Sequence, residues 1–276
     1  MDYKSILPSV LLLLAAVVWH VIIFRFSPKL QLVKLNYNKK PIMASYGIVA
    51  FVYIAAGIGA LTALKYAEWQ YAKLYIAAMS AMWALGIIDD IFGSREVGGF
   101  KGHFKKLIFE RKLTTGAVKA IGGGLVGLIA GWIISGGNVI KWLPASLVIP
   151  LSANILNLFD LRPGRAVAVF FFGLGVTYIW TLGSIIEPCI IGCIAVVAIA
   201  FGVFDSRGRA MMGDSGSNAL GAALGLTIAL NTNYFFQLVT IAVLVGIHVY
   251  SEKHSMTELI ERNRVLSSID RRLGVR

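Results

Sequence analysis

The chain has 276 residues, 57% of them apolar and only 14% charged, with a mean hydropathy of +0.75. A soluble domain carries about 25% charged residues, so the composition excludes an ordinary soluble protein and points to one integral membrane domain. The net charge of +12 reads as a topology signal, because no basic motif for reading bases is present and no nucleic acid is expected as a partner.

A membrane-spanning helix needs roughly 20 largely apolar residues. Nine stretches meet or approach that length, near 4–24, 44–64, 72–89, 116–135, 142–160, 165–183, 186–204, 216–231 and 233–250. The first, 5-SILPSVLLLLAAVVWHVIIF-24, lacks a small-residue cleavage site and reads as a retained span. Between the third and fourth, 100-FKGHFKKLIF-109 places Phe100, Phe104, Leu107 and Ile108 on one side of a surface helix. Cys189 and Cys193 lie four apart in the seventh span, a spacing that suits packing and neither a disulfide framework nor a zinc site. Beyond the ninth, Ser255 and Glu258 fit a capping box opening an amphipathic helix with Leu259, Leu266 and Leu273 at seven-residue spacing. The fold class expected is therefore an all-α polytopic membrane protein. A single transmembrane domain covers 1–250, and an amphipathic tail covers 251–276.

Orientation follows from lysine and arginine, which favour cytoplasmic loops. The segments after spans 1, 3, 5, 7 and 9 hold nearly all of them, whereas the other face has only Lys4, Lys65, Lys73 and Lys141. The N-terminus is expected outside and the tail in the cytoplasm.

Acids and amides near hydrocarbon are costly, so each marks a functional site by default. Asp89 and Asp90 end the third span, and Asn154, Asn157 and Asp160 end the fifth. Asp205 and Asp214 flank the loop leading to the eighth. All lie on the expected cytoplasmic side. Two carboxylates at a helix C-terminus face its partial negative charge and call for a cation. Mg²⁺ is one such cation, a hard ion that takes oxygen ligands and substrate phosphates. The spacing of three in Asn154, Asn157 and Asp160 predicts a polar stripe turned from lipid, drifting about 60° per step. Gly213 and Gly216 permit close backbone approach, and Ser215 or Ser217 would cap a helix whose first N–H groups form an anion site. Taken singly, each group also fits a bland reading: a solvated helix end, interhelical amide bonds, or a capped helix start. Together they suit Mg²⁺-dependent phosphoryl chemistry on a substrate that straddles lipid and water.

Four patterns, in order, are 39-KKPIMASYGI-48, 89-DD-90, 154-NILNLFD-160 and 212-MGDSGSNALG-221. In these the chain resembles the polyprenyl-phosphate N-acetylhexosamine-1-phosphate transferases, a family that includes phospho-N-acetylmuramoyl-pentapeptide transferase. The resemblance implies transfer of a sugar-1-phosphate from a UDP-sugar to undecaprenyl phosphate at the cytoplasmic face of a bacterial-type plasma membrane, releasing UMP. It implies Mg²⁺ as cofactor, with Mn²⁺ as a substitute, and a role in cell-envelope glycopolymer synthesis. Asp214 and Asp89 would hold the metal. Asp89 and Asp90 would position the lipid phosphate, one of them accepting a proton. Asn154, Asn157, Asp160, Gly213 and Ser215 would line the substrate site, with Lys39, Lys40 and Lys119 as phosphate contacts. Homodimers are compatible with the family.

Departures from the pattern are specific. The family's second acid, three residues after the first, is Pro163 in 160-DLRPGRA-166, which implies that a nucleotide contact is either missing or taken over by Arg162 or Arg165. The family's histidine-rich loop is absent, and His248 and His254 lie where the chain turns into its own tail. These departures motivate a second reading, a degenerate member that binds or regulates in an envelope pathway. A transporter would instead place charges at the membrane midplane and break its helices there.

Overall fold

The computed structural model describes residues 46–93 and 114–275, the backbone of 33–35 and 41–43, and positions 15, 18, 19 and 22. The first expected span and the surface helix of 100–109 fall largely or wholly outside these residues. Two short strands, β1 (Val33–Leu35) and β2 (Pro41–Met43), pair antiparallel with Val33 opposite Met43. This hairpin is an addition to the expected helices and leaves the helical fold class as it stands. Three residues per strand are too few for a period-two pattern to register in sequence, and Pro41 stands at a strand start, where a missing N–H is tolerated.

Eight helices follow at the positions expected for spans two to nine. They are α1 (Gly47–Ala63), α2 (Trp69–Phe92), α3 (Thr115–Ser135), α4 (Val139–Phe159), α5 (Arg165–Trp180), α6 (Pro188–Asp205), α7 (Gly213–Asn231) and α8 (Tyr234–Ser251). Five of these, α2, α3, α4, α6 and α8, are long and apolar enough to cross a membrane, and α1 and α5 are shorter apolar helices. The protein is a helical membrane protein.

Helix α7 is the axis of the bundle. Every residue from Ser215 to Ala229 is buried, as a helix of glycine, alanine and leucine on all sides should be. Its glycines set the packing distance to α4. A Cβ at Gly221 would lie 2.5 Å from the Ala153 Cα, and one at Gly225 would lie 2.6 Å from the Ile149 Cα. Small residues four apart let two backbones touch where lipid supplies no hydrophobic drive. On the α2 side the Tyr75 hydroxyl meets the Thr227 hydroxyl at 3.0 Å, inside the apolar interior.

The tail is not one helix. It is α9 (Met256–Arg262) and α10 (Arg264–Leu273), separated by Asn263 in an extended conformation with φ −88° and ψ 117°. Asn263 Oδ1 accepts from the N–H groups of both Val265 and Leu266 at 3.0 Å, so the residue that ends α9 also caps α10. The expected cap at Ser255 is present, its hydroxyl accepting from the Glu258 N–H at 3.3 Å.

Candidate functional site

The C-terminal ends of α2, α4 and α6 and the N-terminal ends of α3, α5 and α7 meet at one end of the bundle. The backbone ties the early basic pattern to the late glycine-rich one. Tyr46 N–H donates to the Met211 carbonyl and Gly47 N–H to the Met212 carbonyl, both at 3.0 Å. Gly86 lets α2 lie against the Asp214 backbone, where a Cβ would collide with the Asp214 carbonyl.

At the start of α7, Gly213 takes φ +71°, a left-handed turn that glycine enters without strain. The next two amides point at Asp90. Its Oδ1 accepts from Asp214 N–H at 2.9 Å and its Oδ2 from Ser215 N–H at 3.0 Å. The Gly213 N–H lies close enough to Asp160 to favour its charged form. Two corrections follow. The helix is capped by a carboxylate 124 residues upstream, not by Ser215 or Ser217. Two of the amides expected to receive a substrate phosphate are already engaged by Asp90.

Lys119 projects from the first turns of α3 and joins the remaining acids. Its ammonium donates to Asp214 Oδ2 at 2.5 Å and lies 3.8 Å from Asp89 Oδ2. Asp89 and Asp214 thus converge on one ammonium. Their side chains are 23% and 28% exposed and that of Lys119 is 12% exposed, so the cluster is half-sunk but open.

Asn157 and Asp160 turn toward α7, where the Ser217 hydroxyl donates to Asn157 Oδ1 at 3.1 Å. Asn154 does not join them and is exposed on the outside of α4. Two drifts of about 60° carry it some 120° round the helix from Asp160. Asp160 ends α4. Burial pushes its carboxyl well above the usual carboxylate range, Asp205, Asp214 and Asp90 push it further, and the Gly213 N–H works the other way.

Two parts of the expected site belong to other structures. Arg165 is buried and bidentate to Asp270 at 2.6 and 2.9 Å, with Thr257 also accepting at 3.0 Å. It is therefore committed to the tail, and Arg162 is half-buried in the same loop. Asp205, marked in sequence only as flanking a loop, is buried and accepts from the Gly164 N–H at 2.6 Å, fixing the loop after Asp160. Asn218 was not singled out. It is fully buried in α7, and its amide has no hydrogen-bond partner among the described residues. The signal was available, since an amide inside an apolar helix is costly. Lys39 and Lys40 lie outside the described residues. His248 bonds the Leu244 carbonyl at 2.7 Å and His254 stacks on Tyr250 at 4.7 Å.

The donor set can be tested against Mg²⁺. No three metal-capable side chains converge among the described residues, which excludes a closed protein cage there. Asp89 and Asp214 supply paired hard oxygens, with Lys119 as the cation beside them among the described residues. That fits an ion held by one or two carboxylates and completed by substrate phosphates and water.

With this geometry, one comparison bears on the chain. Over 105 residues, 38% of its length, it is 33% identical to phospho-N-acetylmuramoyl-pentapeptide-transferase of Thermotoga neapolitana. The match spans 35% of that relative, about a third of its length. No family model matches the chain.

Proposed function

We propose that the protein transfers a sugar-1-phosphate, from a UDP-N-acetylhexosamine, to undecaprenyl phosphate, releasing UMP for cell-envelope glycopolymer synthesis. The observation that carries this reading is the Asp89–Lys119–Asp214 cluster at one end of an apolar helix bundle. The partial likeness to a transferase supports it. The lysine and arginine bias supports nine spans, with the N-terminus outside and the site facing the cytoplasm of a bacterial-type plasma membrane.

In this reading a phosphate oxygen of the lipid attacks the β-phosphorus of the UDP-sugar. The bond from that phosphorus to the oxygen bridging it to the α-phosphate breaks, and UMP leaves. Both partners are anionic, so their repulsion must be offset before the oxygen can approach. Bound Mg²⁺, held by Asp214 and Asp89, would neutralise that charge and orient phosphate oxygens. Lys119 would do the same as a point charge, passing from the carboxylates to a phosphate when substrate arrives. Asp90 is committed to two backbone amides and serves to hold Asp214 in place. Asp89 is then the acid that takes the proton of the attacking phosphate. Asn157, Asp160 and Arg162 face the nucleotide.

The test is UMP release by purified protein given Mg²⁺, undecaprenyl phosphate and a panel of UDP-sugars. Release with an N-acetylhexosamine donor is expected. No release with any donor, while a known enzyme of the family works alongside, overturns the reading and favours the degenerate member that Pro163 suggests.

A further inference from the structure

Helix α10 carries a feature that the proposed reaction does not use. Its inner side is held by polar contacts: Asp270, 6% exposed, pairs with Arg165, and the Val275 N–H just beyond the helix donates to the Ser206 carbonyl at 2.8 Å. Its apolar side points away from the protein. Val265, Leu266 and Ile269 are 68%, 41% and 50% exposed, and steps of one, three and four place them on one stripe of the helix. Arg264, Arg271 and Arg272 are exposed beside that stripe, and α10 has no exposed carboxylate.

A helix with its apolar stripe turned outward needs something other than water against it. Its level in the fold says what that is. It is pinned to the first residue of α5 and to the residue just after α6, where the apolar helices end and lipid headgroups would begin. Three arginines without an exposed acid suit anionic phosphates and disfavour the same stripe of a second copy. We propose that α10 is an interfacial helix. Val265, Leu266 and Ile269 enter the headgroup–acyl boundary, and the three arginines pair with anionic lipid phosphates.

The test uses full-length protein in which Cys189→Ser and Cys193→Ala remove the native thiols. One reporter cysteine is introduced by Ile269→Cys or by Ser268→Cys, an exposed position about 100° round the helix from Ile269, on the flank that carries Arg264 and Arg272. The labelled proteins are placed in phosphatidylcholine vesicles with or without phosphatidylglycerol. A label at 269 should be quenched by lipid-borne nitroxide and shielded from aqueous iodide, and a label at 268 should behave oppositely. Shielding at 269 should rise with phosphatidylglycerol, the docked-to-undocked ratio falling roughly fivefold for each of Arg264→Gln, Arg271→Gln and Arg272→Gln. Equal iodide access at 268 and 269 overturns the proposal. So does shielding that vanishes when protein is diluted in lipid, which marks a second copy. Indifference to phosphatidylglycerol overturns the role of the arginines.

Discussion

Two carboxylate–cation sites lie at the same end of this bundle and behave as opposites. Arg165 and Asp270 form a closed pair, 4% and 8% exposed, matched one to one and bidentate. The Asp89–Lys119–Asp214 cluster is more open, and its single ammonium serves two acids while Asp90, Asp160 and Asp205 crowd the same region. The closed pair satisfies itself and needs no ligand. Among the described residues the open cluster sets one ammonium against two acids, a condition under which a site gains by binding a cation or by letting its lysine move to a phosphate.

The largest effect should come from breaking the closed pair. Asp270→Ala leaves a buried guanidinium unpaired and should cost about 3–5 kcal/mol in unfolding free energy. The double variant Arg165→Met with Asp270→Leu should recover most of it. Equal losses in single and double variants would show that the pair is not what holds the tail. In the open cluster the damage should fall on turnover. Asp214→Asn should lower UMP release by roughly a hundredfold to a thousandfold with little change in melting temperature, and unchanged turnover would remove Asp214 from the site.

Asp90→Asn lies between the two. An amide offers one acceptor oxygen where the carboxylate offers two, so α7 loses half its cap and about 1–2 kcal/mol. A loss of activity matching Asp214→Asn with no loss of stability would make Asp90 catalytic instead. The smallest effect sharpens the charge argument through pH. The folded protein raises the carboxyl of Asp160, so its contribution to stability is fully present below the ordinary carboxylate pKa. That contribution is lost as pH rises through the raised value. Asp160→Asn should therefore stabilise the metal-free protein at neutral pH and do nothing at acid pH. Added Mg²⁺ should narrow the gap between wild type and variant. A variant destabilised equally at both pH values would sink this account.

The chain order of polar residues already placed Asp89, Asp160 and Asp214 at one end, because lipid penalises them elsewhere and span length fixes which end each reaches. The pairing of those residues was not legible. Nothing local says that Asp90 caps a helix 124 residues on, or that Arg165 answers to Asp270 across 105 residues. Asn154 was misplaced because a spacing of three only approximates a helical face. Leucines at 259, 266 and 273 keep a period that predicts one helix through Asn263, whose capping bonds outweigh that periodicity.

What the sequence determined by itself was a helical membrane protein with its acids gathered at the helix ends, since both follow from the cost of polar groups in hydrocarbon. Only the tertiary structure decided which acid is held by backbone amides and which stays partly exposed. That choice depends on whose amides and ammonium groups lie within 3 Å, and distant segments set those distances only once the bundle has packed around α7.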